Sequence, residues 1–542
     1  MHKFYLSTAQ ERFGMTDVRL GQGALAEERQ SHRRPWLTLL AVALGIVVIQ
    51  LDGTIVSVAN PAIAADLAAG PTQIQWVTTG YLLVFAGLLI PAGTVADKIG
   101  HKRVFLVGVG GFTLASLLCG ISPNVEVLIA ARVVQAAFAA GIGPAGLALI
   151  RKAFPADALP RALGMFGAVT AAALASGPLL GGALMALGSW HWVFFVNLPF
   201  GLLGAVVGSR VLPQARPETS QRMDFAGAVT VMASLASVIW GITSVQEHGW
   251  TAGPVAFLVV GLVLLVAFVG VESRVRQPMV SLALFRNRTF AVGCVLSVVT
   301  MFVFFAIMFY LNFFFQAVQG KSAVDTGLAM LPLTAVFVIA SPMAGWATER
   351  VGSRGTILIG SAAITASMVM LLGLVTDSSV LSLVVPLLLA GAGAGFLLVP
   401  AINLVVGSAP EEQAGVASGM QQATQQLGGT LGIAVFGTII SAVVASSFGR
   451  TLRADGLPGD LVAELGADEN LRKSVALGFP NDAQTQLNGQ LGEPIAAHVT
   501  QAAHATFLHA LDTVFSVSIA AVLVAAALSL LIKRSPAEAQ HV

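Results

Sequence analysis

The chain has 542 residues, of which 56% are hydrophobic and only 10% charged, with a formal net charge of +2 and a mean hydropathy of +0.82. A soluble domain carries about 25% charged residues, so this composition describes an integral membrane protein in a lipid bilayer, and its near-neutral charge leaves no basic footprint for nucleic acid. The two cysteines, Cys119 and Cys294, both lie in apolar runs, which offers neither a disulfide framework nor a metal cluster; no cofactor is expected.

Residues 1–35 read as a tail of scattered charges without the roughly 7–15-residue apolar core of a cleavable signal, so the first apolar run is expected to direct insertion. Runs of spanning length, about 20 residues each, fall at 36–58, 74–96, 103–122, 125–149, 162–187, 192–212, 225–245, 253–272, 290–316, 327–348, 355–375, 380–406, 416–445 and 511–532. The expected fold is an all-α membrane protein of fourteen transmembrane helices. An even number of crossings puts both termini on one side. With that side taken as cytoplasmic, the even-numbered connections hold Lys98, Lys102 and Arg103; Arg151, Lys152 and Arg161; Arg210, Arg216 and Arg222; Arg274, Arg276, Arg286 and Arg288; and Arg350 and Arg354. The tails add further basic residues, up to Lys533 and Arg534. Outside lie Lys321 and, in a long polar stretch, Arg450, Arg453, Arg472 and Lys473. Such an excess of positive charge on one side supports a multi-pass protein with both termini in the cytoplasm.

In the first run, within LDGTIVSVANP, stands Asp52; in the fourth stands Arg132. At the helical rise, Asp52 is roughly 24 Å along a helix entering from the cytoplasm and Arg132 roughly 10 Å below the outer face, so both reach the outer half at comparable depth. Ionisable groups at such depth mark partners, cavities or proton paths. A carboxylate alternately desolvated and exposed changes its proton affinity, whereas an arginine stays charged. That pair suits a proton carrier and its modulator; the alternative is a static ion pair holding helices together.

After the second run the chain reads GTVADKIGHKR, and after the tenth it reads GWATERVGSR. Gly93 and Gly345, Asp97 and Glu349, Lys98 and Arg350, and Gly100 and Gly352 match at one constant offset. A parallel repeat of this kind is a transporter signature. It divides the chain into a six-helix bundle at 36–213, two intervening helices in 214–289, and a second bundle at 290–532 that includes an extracellular stretch 446–510, with a cytoplasmic tail at 533–542. The 446–510 stretch reads as a loop with some helix, either a solvated connector or a lid. Gly93 permits close helix approach, and Asp97 is placed where it can meet the positive N-terminus of a neighbouring helix, flanked by Lys98, Lys102 and Arg103. In the fifth run, Gly177, Pro178, Gly181 and Gly182 give a small-residue face and a missing backbone donor.

The ninth run presents Met301, Phe305, Met308, Asn312 and Gln316 along one helical stripe. A soft aromatic surface with few amides suits a large apolar small-molecule substrate, though lipid-facing phenylalanine accounts for much of it too. The thirteenth run carries Gln421, Gln422, Gln425 and Gln426; substrate recognition, with Gln421 and Gln425 as candidates, and interhelical hydrogen bonding are equally good accounts. No G-x-x-x-x-G-K-[ST] phosphate loop occurs, which excludes ATP-driven transport by this chain alone. Nothing has the pattern of a nucleophile triad or zinc site, and no enzyme activity is expected.

Several stretches together resemble the major facilitator superfamily, and within it the fourteen-helix drug/proton antiporter branch. GTVADKIGHKR is similar to its cytoplasmic loop signature, LIAARVVQA with Arg132 and Gln135 to its helix 4 motif, and GPLLGG at Gly177 to Gly182 to its helix 5 antiporter motif. LDGTIVSVANP, WHWVFFVNLPFG, LFRNRTF and GVASGMQQATQQLGGTLGIA are branch-like, with Ala136, Ser57, Asn60 and His191 departing from the usual residues. The resemblance implies that helices 1 and 4 line one central cavity, and that Asp52 and Arg132 serve proton coupling. It also makes Gly93, Asp97, Gly100, Lys102 and Arg103 a conformational latch, and it makes the protein a monomer in the cytoplasmic membrane. The expected function is export of hydrophobic or cationic drugs or antibiotics in exchange for protons. Alternatives are an exporter of one dedicated product, a facilitator without proton coupling, and a non-transporting receptor or scaffold.

Overall fold

In lipid every backbone polar group must find its partner within the segment, and the apolar runs answer this as helices. A computed structural model describes residues 35–186, 188–213, 225–275 and 281–532. Residues 1–34 and 533–542 of the expected tails, and Arg216, Arg222 and Arg276, lie outside the described residues. The helices are α1 (Pro35–Asp66), α2 (Pro71–Ile99), α3 (His101–Gly120), α4 (Val125–Ala153), α5 (Leu159–Met185), α6 (Asn197–Val211, after one turn at Trp192–Phe195), α7 (Phe225–His248) and α8 (Ala252–Glu272). They continue as α9 (Arg288–Phe313, extended by a π-helical turn at Phe314–Val318), α10 (Ala323–Leu371), α11 (Val380–Ser408), α12 (Ala414–Ala454), α13 (Gly459–Ala467), α14 (Glu469–Ala476), α15 (Asn481–Leu491) and α16 (Glu493–Ser529). There is no strand among the described residues. Among the described residues the fourteen apolar runs lie largely on helices, and 11 helices are by length and composition able to cross a membrane. One of them, the 49-residue α10, is two helices joined at Gly352, whose φ of 76° belongs to the left-handed region; glycine reaches it without steric cost. The protein is thus an all-helical, multi-pass membrane protein.

Lipid tails are as apolar as leucine, so these helices associate through close packing rather than hydrophobic transfer. The two repeat copies show how. A Cβ at Gly93 of α2 would lie 2.3 Å from the carbonyl oxygen of Gly415 at the start of α12, and one at Gly345 of α10 would lie 2.5 Å from the carbonyl oxygen of Pro160 at the start of α5. Each repeat copy therefore presses its glycine onto the start of a helix distant in sequence. Asn124, Asn287, Ser322 and Ser379 cap α4, α9, α10 and α11 by accepting from backbone N–H groups, which satisfies donors that a helix leaves open.

The 446–510 stretch, expected to be a loop with some helix, is more helical than a connector with scattered turns. α12 runs on to Ala454 and α16 begins at Glu493, so only residues 455–492 connect them, and these fold into α13, α14 and α15. Val462, Leu465, Leu471, Val475, Phe479 and Leu487 are buried there, and the Asp468 side chain caps α14 by accepting from Asn470 and Leu471. Helices this short place few apolar residues on one face and leave no spanning-length signal, which is why the segment reads as a loop. On its solvent side the Lys473 ammonium, 2.8 Å from Glu469, holds that carboxyl below its ordinary value through its hydrogen bond and charge.

Candidate functional site

Five helices converge on Asp52. The carboxylate hangs from the middle of α1 and is fully buried, as are Arg132 and Gln135 of α4, Ser116 of α3 and Asn197 at the start of α6. Arg132 and Gln135 are three residues apart and so share one helical face. Arg132 Nη1 donates to Asp52 Oδ2 and to Gln135 Oε1 at 2.7 Å, while its Nε donates to the Val77 carbonyl of α2 at 3.2 Å. Asp52 Oδ1 accepts from Gln135 Nε2 and from Asn197 Nδ2, each at 3.0 Å. Gln135 Nε2 also donates to Ser116 Oγ at 2.8 Å, and Asn197 Nδ2 lies 3.5 Å from the same oxygen. The guanidinium carbon sits 4.1 Å above the Tyr81 ring of α2, a cation–π contact that suits a desolvated arginine.

Burying one ion costs several kcal/mol, in order of magnitude, unless pairing and hydrogen bonds offset it. Here a guanidinium and two amides do so, and the arrangement holds Asp52 in a polar pocket closed to solvent. Chemically, such a carboxylate can exchange a proton only when the surrounding helices admit water. Apolar residues, among them Ile55 and Val56 of α1, Leu128 of α4 and Phe194 of the turn before α6, close the bundle beyond it, and Trp190 Nε1 ties the end of α1 by donating to Asp66 at 2.8 Å. His191 stacks on Trp190 with ring centroids 4.0 Å apart.

The glycines of α5 meet α1 beside this centre. A Cβ at Gly177 would lie 1.8 Å from Thr54 Oγ1, and one at Gly181 would lie 3.1 Å from Val58, whereas Gly182 faces open space. The side chain of Pro178 lies outside the described residues.

At the end of the bundle where the repeats meet, Asp97 accepts from the backbone N–H of Gly415 at 2.7 Å and of Val416 at 3.0 Å. The carboxylate therefore caps α12 at the end where the helix dipole is positive. His101 Nε2 lies 2.9 Å from the same carboxylate. Gly100 makes the α2–α3 turn with a φ of 103°. Lys102 is directed elsewhere: its Nζ donates to the carbonyls of Ser209 and Leu212 at the end of α6, at 2.9 and 2.7 Å. Arg103 is exposed. Sequence reasoning missed Arg151, whose guanidinium donates to the carbonyls of Val406 and Ala409 at the end of α11.

The candidate substrate residues do not form one open surface. Met301 is buried in the helix packing, Phe305 and Met308 are half-buried, and Asn312 and Gln316 are exposed and paired with each other. Gln421 is buried and accepts from Ser297 of α9 at 3.1 Å; Gln425 is half-buried. The sequence did not single out Ser116, Tyr81 and Asn197, although an amide inside an apolar run is costly without partners, and that cost marks Asn197.

Residues 42–433 match the Major Facilitator Superfamily. The chain is similar to a tetracenomycin C resistance and export protein of Streptomyces glaucescens, at 35% identity over 504 residues, covering 93% of this chain and 92% of the relative. It is also similar to the multidrug resistance protein Stp of Mycobacterium tuberculosis, at 34% identity over 77% of this chain and 78% of the relative. A puromycin resistance protein of Streptomyces alboniger is 34% identical over 76% of this chain and 83% of its own length. Among solved structures, that of the human organic anion transporter MFSD10 superposes with a TM-score of 0.56 at 14% identity, covering 91% of this chain and 99% of that one, which is a likeness of fold. Family and relatives are transporters rather than enzymes, and several relatives are named for antibiotic or multidrug resistance; this chain belongs to the Major Facilitator Superfamily.

Proposed function

We propose that the protein is a proton-coupled antiporter that exports hydrophobic or cationic drugs or antibiotics, with fourteen transmembrane helices and both termini in the cytoplasm. The observation that carries this reading is the fully buried Asp52 carboxylate held by Arg132, Gln135 and Asn197. A static helix clamp needs only the ion pair; a carboxylate surrounded by exchangeable amide and guanidinium partners on several helices can be solvated and released as those helices move. Asp52 would take up a proton from the outer side in a conformation that admits water. The charge of Arg132 would then be freed from its partner, and proton loss to the cytoplasm would restore the pair.

Alternating access would come from the two six-helix halves moving about this centre. Asp97 on α12 and Arg151 on α11 clamp the halves together at the end assigned to the cytoplasm. The captured conformation is then closed to the cytoplasm, and Gly93, Asp97 and Gly100 form its latch. Lys102 and Arg103 are proposed as part of the same latch, with Lys102 bound to the end of α6 in this conformation. Gly177 and Gly181 would let α5 slide along α1 beside Asp52. Substrate contacts are assigned to the α9 stripe of Phe305, Met308, Asn312 and Gln316, and to Gln421 and Gln425 of α12, with Met301 lining only if α9 moves.

The reading is tested by reconstituting the full chain as a monomer in liposomes and recording drug-dependent proton movement with wild type and Asp52→Asn. A second reading, export of one dedicated product, is favoured by the nearly full-length similarity to a protein named for tetracenomycin C export. A substrate profile restricted to one chemical class would select it.

A further inference from the structure

We propose that Asn197 is a positioning residue that reports the protonation of Asp52, by turning its side-chain amide over when the carboxylate becomes a carboxylic acid. This rests on Asp52 being the proton carrier. With Asp52 ionised, its oxygens need donors, and they have them: Arg132 Nη1 on Oδ2, and Gln135 Nε2 and Asn197 Nδ2, each at 3.0 Å, on Oδ1. A protonated Asp52 instead has an O–H to place, and in a buried site that O–H needs an acceptor. Gln135 cannot offer one, because its Oε1 already accepts from Arg132 at 2.7 Å and faces the Cys119 thiol at 3.7 Å. Ser116 Oγ already accepts from Gln135 at 2.8 Å.

Asn197 differs. Its Oδ1 is buried and has no hydrogen-bond partner among the described residues. A half-turn about the Cβ–Cγ bond exchanges the amide nitrogen and oxygen, which are close in size, so no cavity is needed and no bond to Oδ1 is lost. The turned amide offers its oxygen to the Asp52 O–H. The orientation observed is the one an ionised Asp52 requires, since the reverse would set two acceptors against each other. The other charged or titratable groups around the carboxylate are Arg132 from α4, Tyr81 from α2 and Cys119 from α3. Arg132 stays charged, and Tyr81, whose hydroxyl also lacks a partner among the described residues, is the rival acceptor. Because Asn197 begins α6, its turn would pass the state of the α1 carboxylate to a helix that packs on both α1 and α3.

Infrared difference spectra between high and low pH, on the purified full chain with and without isotope-labelled asparagine, test this. Acidification is expected to produce a carboxylic acid C=O band that is absent in Asp52→Asn, together with a side-chain amide change that moves with the asparagine label. In Asn197→Leu the acid band remains but shifts to higher frequency, and the labelled amide change disappears; in Asn197→Ser, a smaller polar variant should the first fold poorly, the acid band lies between the two. Three results overturn the role of Asn197 alone: no label-sensitive amide change in wild type, an acid band unmoved in Asn197→Leu, or a band moved by Tyr81→Phe in its place. An acid band missing from wild type, or persisting in Asp52→Asn, overturns the carrier assignment instead.

Discussion

The Asp97 carboxylate lies 2.7 Å from the backbone nitrogen of Gly415, although the two residues stand 318 positions apart in the chain. One charge thereby satisfies two open donors of a helix start and binds α2 to α12. Asp97→Asn keeps the shape but turns an NH2 group toward one of those donors, and loses a charged hydrogen bond worth roughly 1.5–3 kcal/mol. The population closed at this end is expected to fall roughly ten- to hundredfold. Labelling of single cysteines placed along α2 and α12 near this junction checks it, and the variant should label faster than wild type.

Arg132→Ala leaves an uncompensated buried carboxylate, which costs about 3–5 kcal/mol. The variant should unfold at a clearly lower temperature than wild type. Combining it with Asp52→Asn removes the unpaired charge, so the double variant should be more stable than Arg132→Ala alone; simple addition of the two losses would contradict the pairing.

Neighbouring glycines of α5 should respond differently. Gly177→Ala drives a methyl group into Thr54, whose Oγ1 is 1.8 Å and Cβ 2.7 Å from its position, an overpacking cost of about 1–3 kcal/mol. Thr54→Ala should relieve it only in part, because the Cβ remains. Gly182→Ala meets nothing within 4 Å and should change thermal stability and transport little.

The repeat glycines offer a paired test. Gly93→Ala and Gly345→Ala each push a methyl group against a backbone carbonyl oxygen, that of Gly415 at 2.3 Å and that of Pro160 at 2.5 Å. Backbone cannot yield as a side chain can, so both variants should fold yet favour the conformation open at this end. Equal cysteine accessibility in wild type and both variants would count against the interlocking of the halves.

Much of the architecture was legible because spanning helices need long apolar runs, and the matching segments at Gly93 and Gly345 pointed to two places where helices approach closely, Gly93 on Gly415 and Gly345 on Pro160. The pairing of Asp52 with Arg132 followed from matched depth in a slab of known thickness. What stayed hidden depended on side-chain direction between distant segments. Lys102 looks like part of a basic cluster, yet its reach is decided by where α6 ends. Arg151 looks like a topology signal, yet the carbonyls it meets, at Val406 and Ala409, are far away in sequence. Asn197 sits in a run whose neighbours are apolar, and only the convergence of α1, α3 and α6 gives its amide a purpose. The stretch 446–510 reads as a loop with some helix; where its short helices begin and end stayed hidden because they leave no spanning-length pattern.

The central claim is that Asp52 carries the coupled proton, and drug-driven proton flux in liposomes tests it most directly. With a pH-sensitive dye enclosed and a hydrophobic cationic compound added, wild type should show substrate-dependent pH change, whereas folded Asp52→Asn should bind the compound and show none. A pH change in Asp52→Asn equal to that of wild type would contradict the account.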